Sequence, residues 1–404
     1  MEIKGKIKTI LNRTPLIQKL AFWFLNQQAD IAKQNIIKKK RKKSNSTIKV
    51  GFIVQMPEVW DKEAPLYEEM VADKKFDPWL IIVPKYDFIW RKEGDCGQEC
   101  EYFLNKYPYC NYIIYRKSNY RLDDSFDFIF YQRCWEDYLP QNLRCKYVIK
   151  KALTCYIPYC YHGAHEKTSY YQTSFFRHLT NFYCCSTEQR DHVREIGHLD
   201  ARYMGFPLFD TLIYDQNTKI RDQKTVLWTP RWTDDEGGST FFDYKDKILE
   251  LTSFKKIKLI LRPHPLAFDK AMRDQKMTKA EVDAYRINVL NNGALFDENA
   301  IIEDTFNDTD LLVTDFSSVI ISFFLSGKPI IYCAKFNVDT TEIYRKILDV
   351  TYKASDWNEV LQLVRKITEG TDPLKAEREA LISHLSIQHN SVEHIINDLK
   401  NCLC

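Results

Sequence analysis

The stretch Asp310–Cys333 sets Asp315, Ser317 and Ser318 between two apolar runs. Hydroxyl side chains beside a helix start, where backbone N–H groups are free, suit a phosphate. The same residues also serve as an ordinary helix cap, and the stretch alone does not separate the two readings. A second constellation is Arg262-Pro263-His264-Pro265, in which two prolines fix the backbone around the histidine and cannot continue a sheet. A third is His162-Gly163, which ends the β-prone run from Tyr156. An imidazole there is a candidate general base near neutral pH, with a structural histidine as the alternative. Arg231, in Thr229-Pro230-Arg231-Trp232, adds another cation at the end of an apolar run. His165 and Glu166 invite a metal reading, but His-Gly-Ala-His-Glu has no zinc-helix spacing and Gly163 weakens a helix, so no metal ligand set is assigned.

Positioning these residues requires an α/β frame. Leu311–Thr314 reads as a strand buried on both faces, Val319–Ser326 as a short helix, Gly327 as its left-handed terminator and Ile330–Cys333 as the next strand. Strand, helix and strand within two dozen residues form a βαβ unit and hence a parallel sheet, whose ligands bind beyond the carboxyl ends of the strands. Strands are expected at Ile48–Gln55, Trp79–Val83, Tyr112–Tyr115, Phe126–Tyr131, Tyr147–Ile149 and Asn181–Cys185. A helix over Thr187–Ile196, capped by Ser186, follows. The alternation restarts with strands Thr225–Trp228 and Ile257–Leu261 and a helix over Phe241–Leu251. Helices are expected over 356–369 and 373–399. Neither G-x-G-x-x-G nor G-x-x-x-x-G-K-[ST] occurs, which argues against a nicotinamide or flavin enzyme and a P-loop.

A chain of 404 residues predicts two domains. The expected division is a basic segment at 1–47, a first α/β domain at 48–215 and a second at 216–404, whose last helix has the option of crossing back to the first. The net charge of +3 conceals +11 over residues 1–49 and −8 over the remainder. Residues 1–35 read as an amphipathic helix, followed by the run Lys38–Lys43. That pattern predicts a tether to an anionic membrane surface rather than a nucleic-acid partner; a linker or a helix packed on the body is the alternative. No apolar run is long enough to span a bilayer, no signal-peptide pattern opens the chain, and the 12 scattered cysteines read as reduced thiols, so a cytoplasmic, peripheral location is expected.

As a set, His162-Gly163, Gly205-Phe206-Pro207-Leu208-Phe209-Asp210, Thr229 to Trp232, Arg262 to Pro265, and Thr314 to Ser318 with Lys328-Pro329-Ile330 resemble the CDP-glycerol glycerophosphotransferase family of teichoic-acid and capsule synthesis. The resemblance covers roughly residues 150–335. Arg231 precedes Trp232 where the family more often has arginine after tryptophan, Ala164-His165 replaces Thr-Pro, and Phe316 replaces tyrosine.

The resemblance implies a GT-B fold, two Rossmann-like domains facing across a cleft, with the acceptor on the first and the nucleotide on the second. It implies transfer of glycerol phosphate, or a related alditol phosphate such as ribitol phosphate, from the CDP-alditol to a hydroxyl of a lipid-linked or polysaccharide acceptor, releasing CMP. His162 and His264 are the implied catalytic residues. Gly163, Arg231, Arg262, Thr314, Asp315, Ser317 and Ser318 are the implied donor-binding residues. No cofactor is required, and the question of Mg²⁺ is left open. The rivals are a GT-B glycosyltransferase using a sugar nucleotide and a catalytically silent membrane-associated scaffold.

Overall fold

The computed structural model describes residues 15–41, 47–87, 92–93, 96–115, 122–198, 200–212, 222–235, 237–297, 299, 301–333, 335–385 and 390–403. Its first sheet contains β1 (Ile48–Val54), β2 (Phe76–Ile82), β5 (Asn111–Ile114), β6 (Phe128–Tyr131), β7 (Leu153–Tyr156), β8 (Asn181–Cys184) and β9 (Ala201–Tyr203); a small ribbon, β3 (Tyr86–Asp87) with β4 (Lys92–Glu93), stands apart. The second sheet contains β10 (Lys224–Thr229), β11 (Ile257–Leu261), β12 (Leu295–Phe296), β13 (Leu311–Thr314), β14 (Ile330–Tyr332) and β15 (Tyr352–Lys353).

Strand order is β5-β2-β1-β6-β7-β8-β9 in the first sheet and β12-β11-β10-β13-β14-β15 in the second, with every pairing parallel. Both are doubly wound. Each reverses direction once, between β1 and β6 and between β10 and β13, and the crevice beyond such a reversal is where these sheets bind ligands. The central strands are fully buried, as continuous apolar runs such as Phe128–Tyr131 and Leu311–Thr314 require. The fold is the two-sheet α/β arrangement the sequence predicts.

The lobes share one apolar core. Tyr161, Phe206 and Phe209 of the first lobe belong to the same buried cluster as Leu312, Phe316 and Tyr344 of the second. Helix Ser391–Cys402 packs on helices Ala64–Ala72 and Pro207–Thr211 of the first lobe. Asp210 holds its start: the carboxylate accepts the Val392 N–H at 2.9 Å and the Ser391 hydroxyl at 3.2 Å. The Gly205–Asp210 element therefore fixes the returning C-terminal helix.

Several expected elements differ. Residues 147–149 do not form a strand; Cys145–Val148 is a helix, and an apolar run this short has no period to distinguish the two. The helix expected over 241–251 stops at Tyr244 and continues as a 3₁₀ segment, Lys247–Ser253. The span 373–399 divides into Lys375–His384 and Ser391–Cys402, with Asn390 at φ 67° starting the second. Gly327 does take the left-handed turn, at φ 70°.

Helix Pro15–Arg41 lies against the first lobe. Its basic residues are partly spent on the protein: Lys33 pairs with Asp200 and Lys39 with Asp124, each at 2.7 Å. Lys40 is 1% exposed beside Asp127 and donates to the carbonyls of Asp124 and Phe126. The run Lys38–Lys43 is thus not wholly a solvated basic cluster. Trp23 and Phe24, 60% and 57% exposed, project from the same helix. The remaining expectations for residues 1–14, for Lys42 and Lys43, and for most of the polar segment 211–224 lie outside the described residues. No described helix is long and apolar enough to cross a membrane.

Candidate active site

The carboxyl ends of β10 and β13 carry one side of the site. Asp315 is fully buried just after β13, and both of its oxygens are engaged. One accepts the backbone N–H groups of Arg231 and Thr240 at 2.8 and 2.9 Å, and the other accepts the Thr240 hydroxyl at 2.7 Å. Burial raises its pKa to about 6 against these bonds. The carboxylate therefore ties the loop after β10 to the turn after β13. Thr314 is equally enclosed: its hydroxyl accepts from Thr229 at 2.7 Å and donates to the Thr229 carbonyl at 2.9 Å. It holds strand to strand.

That clamp aims Arg231 at the turn. Its guanidinium donates to the Phe316 carbonyl at 3.1 Å and to Asp235 at 2.9 Å. Arg262, at the end of β11, is held by buried Asp297 at 2.7 Å, and Asp297 also accepts the Thr305 hydroxyl. A fixed guanidinium keeps its positive field without reorganising, which suits stabilisation of a developing phosphate charge.

His264 stacks on Trp232, with ring centroids 5.0 Å apart. Its Nδ1 accepts the Leu266 N–H at 3.1 Å, so in the neutral ring the proton sits on Nε2. The residue is solvent-exposed, yet desolvation and the cations Arg231, Arg262 and Lys85 lower its pKa. Lys85 comes from the other lobe, where it pairs with Glu58 at 2.6 Å. His264 is therefore a neutral hydrogen-bond donor among positive charges.

The candidate residues of the first lobe lie in the loop after β7. His162 Nδ1 lies 3.0 Å from Glu166 Oε1, and the ring packs edge-on to Tyr159 and Tyr170. With Nδ1 directed to a carboxylate, Nε2 is left to accept a proton. His165 turns elsewhere, to within 3.5 Å of Glu188. The loop meets the second lobe: the Gly163 carbonyl accepts the Thr341 N–H at 2.9 Å. Below it, buried Lys62 donates to the carbonyls of Gln132 and Ile157, joining the ends of β6 and β7.

The turn Asp315–Ser318 is not a bare helix start. The Ser317 N–H donates to the Tyr344 hydroxyl at 3.2 Å, and that hydroxyl donates back to the Ser317 carbonyl at 3.0 Å. Ser317 Oγ accepts the Val319 N–H at 3.3 Å. Two amides expected to face a phosphate are thus engaged within the protein, one by an aromatic side chain from a distant helix and one by the Ser317 hydroxyl. Tyr344, Glu166 and Lys85 carry no sequence signal of their own; only Glu166, four residues from His162, was open to inspection as a partner. Among the described residues no three His, Cys, Asp or Glu side chains converge as metal ligands.

With this geometry in view, comparisons with known proteins are informative. The wall teichoic acid polymerase TagF is similar over 99% of this chain and 98% of its own, at 12% identity and a TM-score of 0.56. A UDP-N-acetylglucosamine 2-epimerase described as such from Listeria monocytogenes covers 88% of this chain and 96% of its own, at 13% identity and a TM-score of 0.56. The corresponding enzyme of Neisseria meningitidis, bound to UDP-GlcNAc, covers 88% and 100%, at 11% identity and 0.55. At these identities the likeness establishes the GT-B-like fold, which polymerase and epimerases share. No curated relative matches the chain. The family model of CDP-glycerol:poly(glycerophosphate) glycerophosphotransferases matches residues 172–357, a span that includes Arg231, Arg262, His264, Ser317 and Tyr344 and begins after His162. Over that span the chain is similar to CDP-glycerol:poly(glycerophosphate) glycerophosphotransferases, and it is a glycerophosphotransferase-like transferase.

Proposed function

We propose that this protein transfers glycerol phosphate from CDP-glycerol to a hydroxyl of a lipid-linked or polysaccharide acceptor in teichoic-acid or capsule synthesis, releasing CMP. The observation that carries the reading is the link between the His162-Gly163 loop and the Ser317–Ser318 turn, made where the Tyr344 ring lies against Gly163 and its hydroxyl bonds the Ser317 peptide. It sets a candidate base beside a candidate phosphate site, each on its own lobe. A TagF variant soaked with CDPG has the same fold over 99% of this chain, at 13% identity, which favours this donor class.

In the proposed step the acceptor hydroxyl gives its proton to His162 Nε2 while its oxygen attacks the phosphorus that bears glycerol. The bond from that phosphorus to the bridging oxygen breaks, and the electron pair leaves with CMP. Neutral His264 donates its Nε2–H to the departing phosphate, and Arg231 and Arg262 offset the charge. Such a transfer needs positioning and electrostatics more than covalent chemistry. Asp315 and Thr314 act by holding the loops, and Ser317 and Ser318 face the donor. The site of action is the inner membrane surface, a reading supported by exposed Trp23 and Phe24 on a helix that also carries lysines.

The test is to offer purified protein CDP-glycerol, CDP-ribitol and UDP-sugars in parallel with an acceptor and to measure free CMP and UDP. CMP from CDP-glycerol is expected. UDP release alone would favour a glycosyltransferase, and no release a silent scaffold.

A further inference from the structure

Tyr344 is fully buried and lies 26 residues beyond Ser318, outside every motif discussed above. It joins both sides of the proposed site. Its hydroxyl closes a two-way bond with the Ser317 peptide, and its ring packs on Phe316 at 4.8 Å. The same ring also meets Gly163: a Cβ there would lie 2.4 Å from Tyr344 Cδ2, far inside contact distance. Glycine at 163 is thus required by the ring.

The helix bearing Tyr344 is anchored to the same glycine. Thr341, the residue before helix Glu342–Asp349, donates its N–H to the Gly163 carbonyl at 2.9 Å. Ala164 forms a bridge with Thr340, and the His165 N–H donates to the Asp339 carbonyl at 3.2 Å. A path therefore runs from the residue after His162, by a hydrogen bond to Thr341, along the first turn of the helix to Tyr344, and by hydrogen bonds into the peptide before Ser318. Such rigid two-point contacts transmit displacement because packed interiors are not compliant.

We infer that Tyr344 is a positioning residue that sets the Ser317–Ser318 turn in register with His162-Gly163, so that donor phosphate and acceptor base are aligned by one side chain. The inference deepens the proposed function and rests on it for the identity of the donor. If the hydroxyl instead merely occupied the turn, it would compete with a phosphate for the Ser317 amide, and its removal would tighten donor binding.

The experiment compares wild type, Tyr344→Phe, Gly163→Ala and the double variant. CMP release from CDP-glycerol gives kcat and KM, and calorimetry gives CDP-glycerol affinity. Tyr344→Phe keeps the ring and should stay folded, melting somewhat below wild type for the two lost hydrogen bonds, while losing about tenfold to a hundredfold in kcat/KM, the cost of an ångström-scale misplacement. Gly163→Ala pushes the same ring, so the double variant should lose far less than the product of the single losses. Multiplicative losses, or tighter donor binding by Tyr344→Phe, would overturn the inference. Hydrogen exchange reads the coupling even in a protein that does not release CMP. Tyr344→Phe should raise exchange in peptides covering 160–165 and 315–320 together, and a rise confined to 315–320 would contradict it.

Discussion

Glu166 Oε1 lies 3.0 Å from His162 Nδ1, one helical turn's worth of sequence away but in a loop. The carboxylate fixes the ring's orientation and tautomer and so determines which nitrogen meets the acceptor. Glu166→Ala should retain the fold and lower kcat about tenfold to a hundredfold, the range for a residue that orients a functional histidine. Steady-state CMP release checks this, and an unchanged kcat would leave Glu166 without a part in the reaction.

Asp315 accepts three hydrogen bonds, two of them from backbone N–H groups. Asp315→Ala leaves those donors buried and unanswered, which costs about 2–4 kcal/mol of stability. Urea unfolding measures that loss. Since the loop it releases carries Arg231, donor affinity should fall as well.

Glu63 is 0% exposed and neither of its oxygens has a hydrogen-bond partner. Burial pushes its pKa from 4.5 up to about 7. A raised carboxyl contributes stability that is complete below its unfolded pKa and is lost as pH climbs through the folded one. Stability should therefore decline between about pH 5 and pH 8. Asp61 and Glu303, one on each lobe and both raised chiefly by burial, act in the same sense. Glu63→Gln should remove part of the slope and gain about 1–3 kcal/mol on wild type at pH 8 relative to pH 5. Urea midpoints at the two pH values decide. A pH-independent difference would mean that Glu63 is ionised in the folded chain.

The frame was legible in the sequence because buried parallel strands are written as short, largely apolar runs. Leu311–Thr314, Ile257–Leu261 and Lys224–Thr229 declare both their positions and their functional ends. Tyr147–Ile149 misleads for the same reason, since three apolar residues fit a helical turn as well as a strand. Tyr344 could not be found by spacing: what matters about it is that it meets Ser317 on one side and Gly163 on the other, a fact of tertiary packing. Lys40 shows the limit of charge counting. It belongs to a run of cations, yet its ammonium is sealed under the carbonyls of Asp124 and Phe126. Glu166 was visible beside His162, but its usual association with metal sites obscured the simpler part of orienting a ring.

The measurement closest to the centre of this account is CMP release from CDP-glycerol by His162→Ala and His264→Ala, each first shown by circular dichroism and melting to be folded. Losing a base or a charge-stabilising donor should cut the rate at least about 10²-fold in each. Near-normal CMP release by either folded variant would remove that histidine from the reaction and contradict the alignment of the two lobes on one phosphate.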